Sequence, residues 1–181
     1  MSITTDHFDT IKQEYGYMSS WAIWGEMSPH LLHTKTIFVG YNISKRIDTP
    51  FGNFHEGKND YRIKDAIKGT LFEGSYMTDI IKDFEEKSSG KMKEYLRKNP
   101  TFVIENISSF IKELELIGAK TPILIAFGDD CYRILKEHLS TYKIFKVHHY
   151  SSFKTNEVRR VQMLETEKEV KKLLTMSPSN T

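Results

Sequence analysis

Cysteine is almost absent from this chain. Its 181 residues include one cysteine, Cys131, which excludes an internal disulfide and a cysteine-rich zinc site. Long apolar runs are absent as well, since none approaches the roughly twenty residues that cross a bilayer. The N-terminus also lacks a charged segment followed by an apolar one. These absences predict a soluble protein of the reducing cytoplasm that has no membrane partner.

A strong excess of one charge is lacking too. The 26 Lys and Arg residues nearly balance the 24 Asp and Glu residues, and the pI is about 8.5. This balance permits nucleic-acid binding without requiring it, because a phosphate-binding face needs only a local excess of positive charge. Internal repeats are absent. The length predicts one domain over residues 1–181, with an N-terminal decoration at 1–35 and a tail at 176–181. The oligomeric state stays open, with a monomer favoured.

Apolar periodicity alternates between strand and helix patterns along the chain. The strand-like runs are TIFVG (36–40), GSYMTDII (74–81), PILIAF (122–127) and YKIFKV (142–147). The helical patterns cover 4–17, 59–68, 100–117, 129–139 and 156–174, and SSWAIWGEM (19–27) is either a short strand or an extended connector. This alternation predicts an α/β three-layer sandwich around a mostly parallel sheet of about four strands.

Polar side chains collect where the predicted strands end. The segment GYNIS (40–44) ends the first strand, Asp79 lies near the end of the second, GDD (128–130) follows the third and HHYSS (148–152) follows the fourth. Turn and capping chemistry accounts for each group taken alone. In open parallel sheets, however, ligands bind beyond the carboxyl ends of the strands. Three of the four strand ends carry polar groups beyond simple turn chemistry, and their occurrence at one edge favours a binding site.

These strand-end motifs resemble the uracil-DNA glycosylase superfamily, in the divergent part near its mismatch-specific and single-strand-selective branches. The resemblance covers residues 36–174 and rests on FVGYNIS, NFHEGKND, YMTDIIK, ILIAFGDDCYRIL and HHYSS, in that order. Gly40 and Asn42 match a Gly-x-Asn-Pro motif in which isoleucine replaces the proline. His149 and Ser151 match a His-Pro-Ser-like motif in which tyrosine replaces the proline. Asp79 stands where relatives carry a base-reading asparagine.

The resemblance implies a hydrolase of DNA repair that removes a flipped base by cleaving its N-glycosidic bond, without a cofactor. Asn42 is expected to hold the attacking water, and His149 to donate a hydrogen bond to the departing base. Since an amide cannot take a proton, the reaction should be slow. The expected base-binding residues are Gly40, Tyr41, Phe54 and Asp79, with Phe54 preferred over Phe51 for stacking on the base. The expected phosphate-binding and DNA-binding residues are Ser151, Ser152, Lys154 and Arg159.

Asp79 changes the expected base preference. An ionised carboxylate only accepts hydrogen bonds, so it opposes a carbonyl oxygen of uracil. The open alternatives are a base with an exocyclic amine, a carboxyl group protonated by burial, and a side chain that faces elsewhere. We therefore expect weak or altered base preference. The alternatives to a glycosylase are a catalytically silent relative that binds DNA, other nucleic acid or a nucleotide, and a partner-binding domain with no pocket in use.

Two adjacent histidines raise the question of a metal site. His148 and His149, together with His55 and His30, supply potential ligands. Neighbouring strand residues point to opposite faces, however, and no paired carboxylates accompany them, so we expect no metal. Cys131 lies in an amphipathic pattern and is expected to be a small buried apolar residue rather than a nucleophile.

Overall fold

A mixed sheet of five strands lies at the centre of the computed structural model, which describes residues 5–25, 29–82 and 84–176. In chain order the strands are β1 (Ser19–Trp21), β2 (His33–Asn42), β3 (Ser75–Ile81), β4 (Ile123–Phe127) and β5 (Ile144–Val147). Their order across the sheet is β1-β3-β2-β4-β5. Strand β1 runs antiparallel to β3, and the other neighbours are parallel. The α/β class is confirmed, with one strand more than the four expected because residues 19–21 pair with β3.

Six helices accompany the sheet in the described residues. They are α1 (Thr5–Tyr15), α2 (Tyr61–Ile67), α3 (Ser89–Lys98), α4 (Pro100–Leu116), α5 (Gly128–His138) and α6 (Asn156–Met176), and a short 3-10 helix covers Pro29–Leu31. The sequence patterns did not predict α3, which buries only Met92 and Leu96 and begins after Ser88, whose side chain accepts from the Lys91 N–H. Residues 1–4, 26–28, 83 and 177–181, including part of the decoration and all of the predicted tail except Met176, lie outside the described residues.

The sheet separates two apolar clusters. On β2, Ile37 and Val39 belong to the cluster that includes residues of α1, α3, α4 and α5. Phe38, between them, belongs to the cluster that includes residues of α2 and α6. Successive strand residues point to opposite faces, so this alternation places helices on both faces of the sheet. The resulting arrangement has three layers.

The carboxyl ends of the parallel strands meet at one edge of the sheet. Gly40 on β2 is in register with Asp79 on β3, and Val39 is in register with Ala126 on β4. Phe127 is in turn opposite Val147 on β5. This register brings the segments that follow β2, β4 and β5 to the same edge as the end of β3.

A buried ion pair ties the end of β3 to α4. Lys82 Nζ lies 2.7 Å from Glu113 Oε2, and the two side chains are 2% and 0% exposed. The ammonium group also donates to Thr78 Oγ1 at 2.6 Å and to the Asp79 backbone oxygen at 2.8 Å. Glu113 Oε1 accepts from the hydroxyls of Tyr76 and Thr78 at 2.8 and 2.9 Å. Both charges are therefore compensated inside the protein.

We predict that breaking this pair from one side destabilises the fold. Glu113→Gln leaves the Lys82 ammonium buried without a counter-charge, which should lower the free energy of unfolding by about 3–5 kcal/mol in urea denaturation. The double variant Lys82→Met/Glu113→Leu removes both charges and should recover most of that loss.

The matched control is the exposed pair Lys98–Glu94, whose atoms are 2.6 Å apart. Glu94→Gln should change stability little, because exposed ion pairs contribute little. Equal effects of Glu113→Gln and Glu94→Gln would contradict the prediction.

Candidate functional site

A cavity of about 1010 Å³ opens at the carboxyl edge of the sheet. Its walls come from the end of β2, the end of β3, the start of α5, the segments 56–60 and 86–93, and the segment after β5. Six of the ten predicted site residues line it: Tyr41, Asn42, Asp79, His149, Ser151 and Ser152. Residues from three separate parts of the chain thus meet at the edge where the sequence motifs predicted them.

Two of the predicted base-binding residues lie behind the cavity wall. Gly40 makes room for Asp79, because a Cβ at position 40 would lie 2.1 Å from Asp79 Oδ1. Phe54 is 3% exposed, and its ring centroid lies 6.0 Å from those of Phe127 and Tyr150. Phe54 therefore supports two lining aromatic residues instead of stacking on a ligand itself.

The predicted phosphate-binding cations are not brought to the cavity. Arg159 is 4% exposed and donates to the Ser152 backbone oxygen at 2.5 Å. The neighbouring Arg160 donates to the Ala66 backbone oxygen at 2.8 Å. Lys154 is exposed but does not line the cavity. The two arginines hold the loop after β5 and the end of α2 in place, so they do not form a basic patch beside the site.

Charges around the cavity rim are mixed. The lining lysines are Lys45, Lys58, Lys87, Lys93 and Lys146, and the lining acidic residues besides Asp79 are Glu56, Asp60, Glu86, Asp129 and Asp130. Three of these lysines pair with rim carboxylates at distances of 3.8, 3.0 and 2.6 Å. The rim consequently attracts polyanions less strongly than a basic groove would.

Hydrogen bonding fixes the orientation of the Asn42 amide. Its Nδ2 donates to the backbone oxygens of Glu86, Ile43 and Phe84 at 2.8, 3.0 and 3.4 Å. Carbonyl oxygens only accept, so the NH₂ group must face them. The Asn42 Oδ1 is left without a hydrogen-bond partner among the described residues. It remains available as an acceptor for a ligand or a water in the cavity.

His149 presents a donor to the same cavity. Its Nδ1 accepts the backbone N–H of Ser151 at 3.2 Å and lies 2.7 Å from the Ser151 hydroxyl. Because a backbone N–H can only donate, the ring proton must sit on Nε2. Burial and the nearby Arg159 charge lower the pKa of His149 to about 4. The imidazole is therefore neutral at physiological pH, with Nε2–H free to donate.

Two aromatic rings give the cavity flat apolar walls. The rings of Phe127 and Tyr150 lie 5.3 Å apart at an interplanar angle of 82°. Tyr150 also stacks on the His149 ring, with centroids 4.4 Å apart. Gly128 begins α5 with φ of 84°, and a Cβ there would lie 3.4 Å from the His149 Cβ. Glycine thus permits the turn that lets α5 and the segment after β5 approach each other.

Asp79 is held by Asn53, a residue that the sequence analysis did not single out. Asn53 Oδ1 accepts the Phe54 N–H at 3.0 Å, and Asn53 Nδ2 donates to the Met18 oxygen at 3.0 Å and to Asp79 Oδ2 at 2.8 Å. The interaction joins residues 26 positions apart in the chain, so no local pattern reveals it. The left-handed backbone of Phe54, with φ of 63°, is uncommon for an aromatic residue and accompanies this turn.

The Asp79 carboxyl group is almost completely removed from water. It is 4% exposed, and burial, partly offset by the Asn53 hydrogen bond and the Lys82 charge, raises its pKa from 3.8 to about 6. Asp79 Oδ1 has no hydrogen-bond partner among the described residues. A buried carboxyl group with one oxygen unpaired costs stability when it is ionised.

We predict that Asp79→Asn stabilises the protein at neutral pH. A raised folded-state pKa means that folding favours the protonated form, so stability falls as pH rises from about 4 to about 6. The uncharged amide avoids that loss and keeps a carbonyl oxygen for Asn53. The gain should reach up to about 3 kcal/mol above that range and vanish below it.

Urea denaturation at about pH 4 and about pH 7.5 measures the difference. The control is Asp129→Asn on the exposed rim, where the Lys146 pair lowers the carboxyl pKa. That variant should bring no stabilisation at neutral pH. A gain for Asp79→Asn that is the same at both pH values would contradict the prediction.

Neither a metal site nor a membrane-spanning helix is found in the described residues. No group of three or more His, Cys, Asp or Glu side chains there is placed to hold a metal ion. None of the helices in that part of the chain is long and apolar enough to cross a membrane. Cys131 is 0% exposed and its sulfur contacts the Val39 oxygen at 3.2 Å, so it is part of the core.

Comparison with known proteins gives no assignment. No protein-family model matches the chain, and no curated protein or solved structure matches it either. The resemblance to the uracil-DNA glycosylase superfamily stays a prediction, and the function must be argued from the cavity.

Proposed function

We propose that this protein is a uracil-DNA glycosylase-like hydrolase that takes a flipped base into the cavity and cleaves its N-glycosidic bond, with weak or altered base preference. The observation that carries the proposal is the pairing of an available acceptor, Asn42 Oδ1, with an available donor, His149 Nε2–H, in one aromatic-walled cavity. Both orientations follow from hydrogen bonds to backbone groups.

The proposed reaction uses this donor and acceptor on opposite sides of the glycosidic bond. A water held by Asn42 Oδ1 adds through its oxygen to C1′ of the sugar, while the C1′–N bond breaks and its electron pair goes to the base. His149 Nε2–H donates to a base carbonyl oxygen on which negative charge develops. The water's proton passes to solvent, because the Asn42 amide cannot take it. A slow reaction is expected for that reason.

The cavity walls suit a flat ligand. Phe127 and Tyr150 line the cavity, and base–aromatic stacking tolerates every base because each has a π face. Ser151 and Ser152 lie on the same wall as His149. The Ser152 hydroxyl is buried, so only the exposed Ser151 hydroxyl, which lies 2.7 Å from His149 Nδ1, is proposed to bind a phosphate beside the flipped nucleotide. A cavity of about 1010 Å³ has room for either a purine or a pyrimidine.

Phe153 is an exposed apolar side chain next in the chain to two residues that line the cavity. Its side chain is fully exposed, at 110% of the reference area, and it directly follows Ser151 and Ser152. Proteins that bend DNA frequently insert an apolar side chain between base steps and partly unstack them. We propose this role for Phe153.

The proposal predicts that abasic sites form in oligonucleotides incubated with the protein. Single- and double-stranded substrates should carry uracil, hypoxanthine, xanthine or a mismatched base, the mismatched bases including cytosine, guanine and adenine, which have an exocyclic amine, and alkaline cleavage measures the product. Asn42→Ala and His149→Ala should each lower the rate by about a hundredfold or more, because each removes a group that acts in the transition state.

The control is His138→Ala, at the end of α5 and outside the cavity lining, which should leave the rate unchanged. Absence of abasic product with every substrate would refute the glycosylase proposal. A His149→Ala variant as active as the parent protein would refute the assigned role of His149.

A second prediction concerns Phe153. Phe153→Ala should lower cleavage of a base in duplex DNA several-fold more than cleavage of the same base in a single strand, because only the duplex must be held open. Phe153→Leu keeps an apolar wedge and should retain most of the duplex activity. Equal losses on the two substrates would show that Phe153 does not act on base pairing.

The alternative is a catalytically silent relative that binds nucleic acid or a nucleotide. It is favoured by one observation, that an amide at position 42 cannot serve as a general base. The same oligonucleotides distinguish the two functions, since a binding protein would show salt-dependent association without abasic product. An open cavity of this size counts against the third possibility, a partner-binding domain with no pocket in use.

A further inference from the structure

The unpaired oxygen of Asp79 determines which ligand the cavity can accept. Asp79 lines the cavity and is 4% exposed, so water compensates its charge only in part. Oδ2 already accepts from Asn53 Nδ2 at 2.8 Å. Oδ1 has no donor in the part of the chain that the structure describes. A ligand that places a carbonyl oxygen against Oδ1 adds repulsion, whereas a ligand that places an N–H there supplies the missing partner.

Rotating the Asn53 or Asp79 side chain cannot exchange the hydrogen-bond donors and acceptors of this site. The Phe54 N–H can only donate and the Met18 carbonyl can only accept, and both bind Asn53. The Asn53 NH₂ must therefore face Asp79, and Asp79 Oδ2 must act as an acceptor. Gly40 gives the carboxyl group its space, since any Cβ there would collide with Oδ1. The Asp79 side chain is thus held in one orientation from two sides.

We infer that Asp79 selects nucleobases that carry an exocyclic amine, such as the cytosine and guanine types, and rejects bases that present a carbonyl at that position, such as uracil. This inference rests on the proposed function, because it takes the cavity to be the base pocket. Asp79 is then a specificity-determining residue whose Oδ1 accepts the amine N–H. Asn53 is a positioning residue, because its hydrogen bond to Oδ2 leaves only Oδ1 to contact the base.

The deciding experiment compares two nucleosides that differ at one edge. Deoxycytidine carries an amine where deoxyuridine carries a carbonyl, and their binding can be followed by ligand-observed NMR or calorimetry. The parent protein should bind deoxycytidine about ten- to a hundredfold more tightly. Deoxyguanosine and deoxyinosine, which differ only by the 2-amine, test the same preference on a purine.

Asp79→Asn should reverse the preference between deoxycytidine and deoxyuridine, and should abolish the preference for deoxyguanosine over deoxyinosine, which has only a hydrogen in place of the 2-amine. The carbonyl oxygen of the variant side chain must stay with the Asn53 NH₂, so its own NH₂ takes the place of Oδ1 and becomes a donor in the cavity. Asp79→Ala removes the group altogether and should bind the two nucleosides about equally. Asp60→Asn removes the same charge from another lining carboxylate, whose Oδ2 accepts the Gly57 N–H at 2.8 Å, and should leave the preference as it is.

Lowering the pH should act like the asparagine substitution. Because Oδ2 is occupied by Asn53, the proton binds to Oδ1 and turns it into a donor. The preference for deoxycytidine should fall as pH drops through the Asp79 pKa of about 6, and should be independent of pH in Asp79→Asn. The other titratable groups that act on or respond to Asp79 are Lys82, Glu113, Asp60, Tyr150 and Cys131.

The outcomes separate this inference from the proposed function. Cleavage of some substrate together with a nucleoside preference unaffected by Asp79→Asn would overturn the inference and leave the glycosylase proposal intact. A reversed preference without any cleavage would support recognition by Asp79 and refute the glycosylase. No detectable binding of any of the four nucleosides by the parent protein, shown to be folded by its thermal unfolding, would overturn the inference as well.

Discussion

The buried contact between Lys82 and Glu113 holds the end of β3, and the candidate site depends on where that strand ends. Thr78 turns its hydroxyl toward this pair. Since neighbouring strand residues face opposite sides, Asp79 must turn its carboxyl group the other way, toward Gly40 and the cavity. A glycine in register with Asp79 is then a steric requirement. The contact between Lys82 and Glu113 thereby fixes the face of the sheet on which the Asp79 carboxyl group lies.

The strand-end residues were predictable because their positions follow from local patterns. Asn42, Asp79 and His149 belong to segments at the ends of apolar runs, and parallel pairing brings such ends together. The predicted roles of Arg159 and Phe54 did not match their placement, since proximity along the chain does not tell which way a side chain faces. The sequence did not decide whether residues 19–27 form a strand or a connector, because a three-residue edge strand such as β1 carries little periodic signal. Helix α3 was not predicted for the same reason, since it buries only two side chains.

The interactions that set the chemistry of the site join distant parts of the chain and could not be read from it. Asn53 reaches Asp79 across 26 positions, and the Asn42 amide is fixed by the backbone oxygen of Glu86, 44 positions away. Sequence identifies which residues can donate or accept, but the direction of each hydrogen bond is imposed by backbone groups that only the fold brings near. The tautomer of His149 has the same origin, because a backbone N–H determines it.

These constraints leave the site with one neutral donor and two acceptors of different kinds. His149 Nε2–H and Asn42 Oδ1 are uncharged, so they can act on a developing charge without strong attraction for an ionic ligand. Asp79 adds a buried charge beside them, and its burial opposes folding whenever the carboxyl group is ionised. A group kept at such a cost, in a place where an asparagine or an apolar residue would be more stable, is better explained by selection for recognition than by packing. The instability and the proposed specificity then have the same physical cause, an acceptor oxygen that the protein itself leaves unpaired.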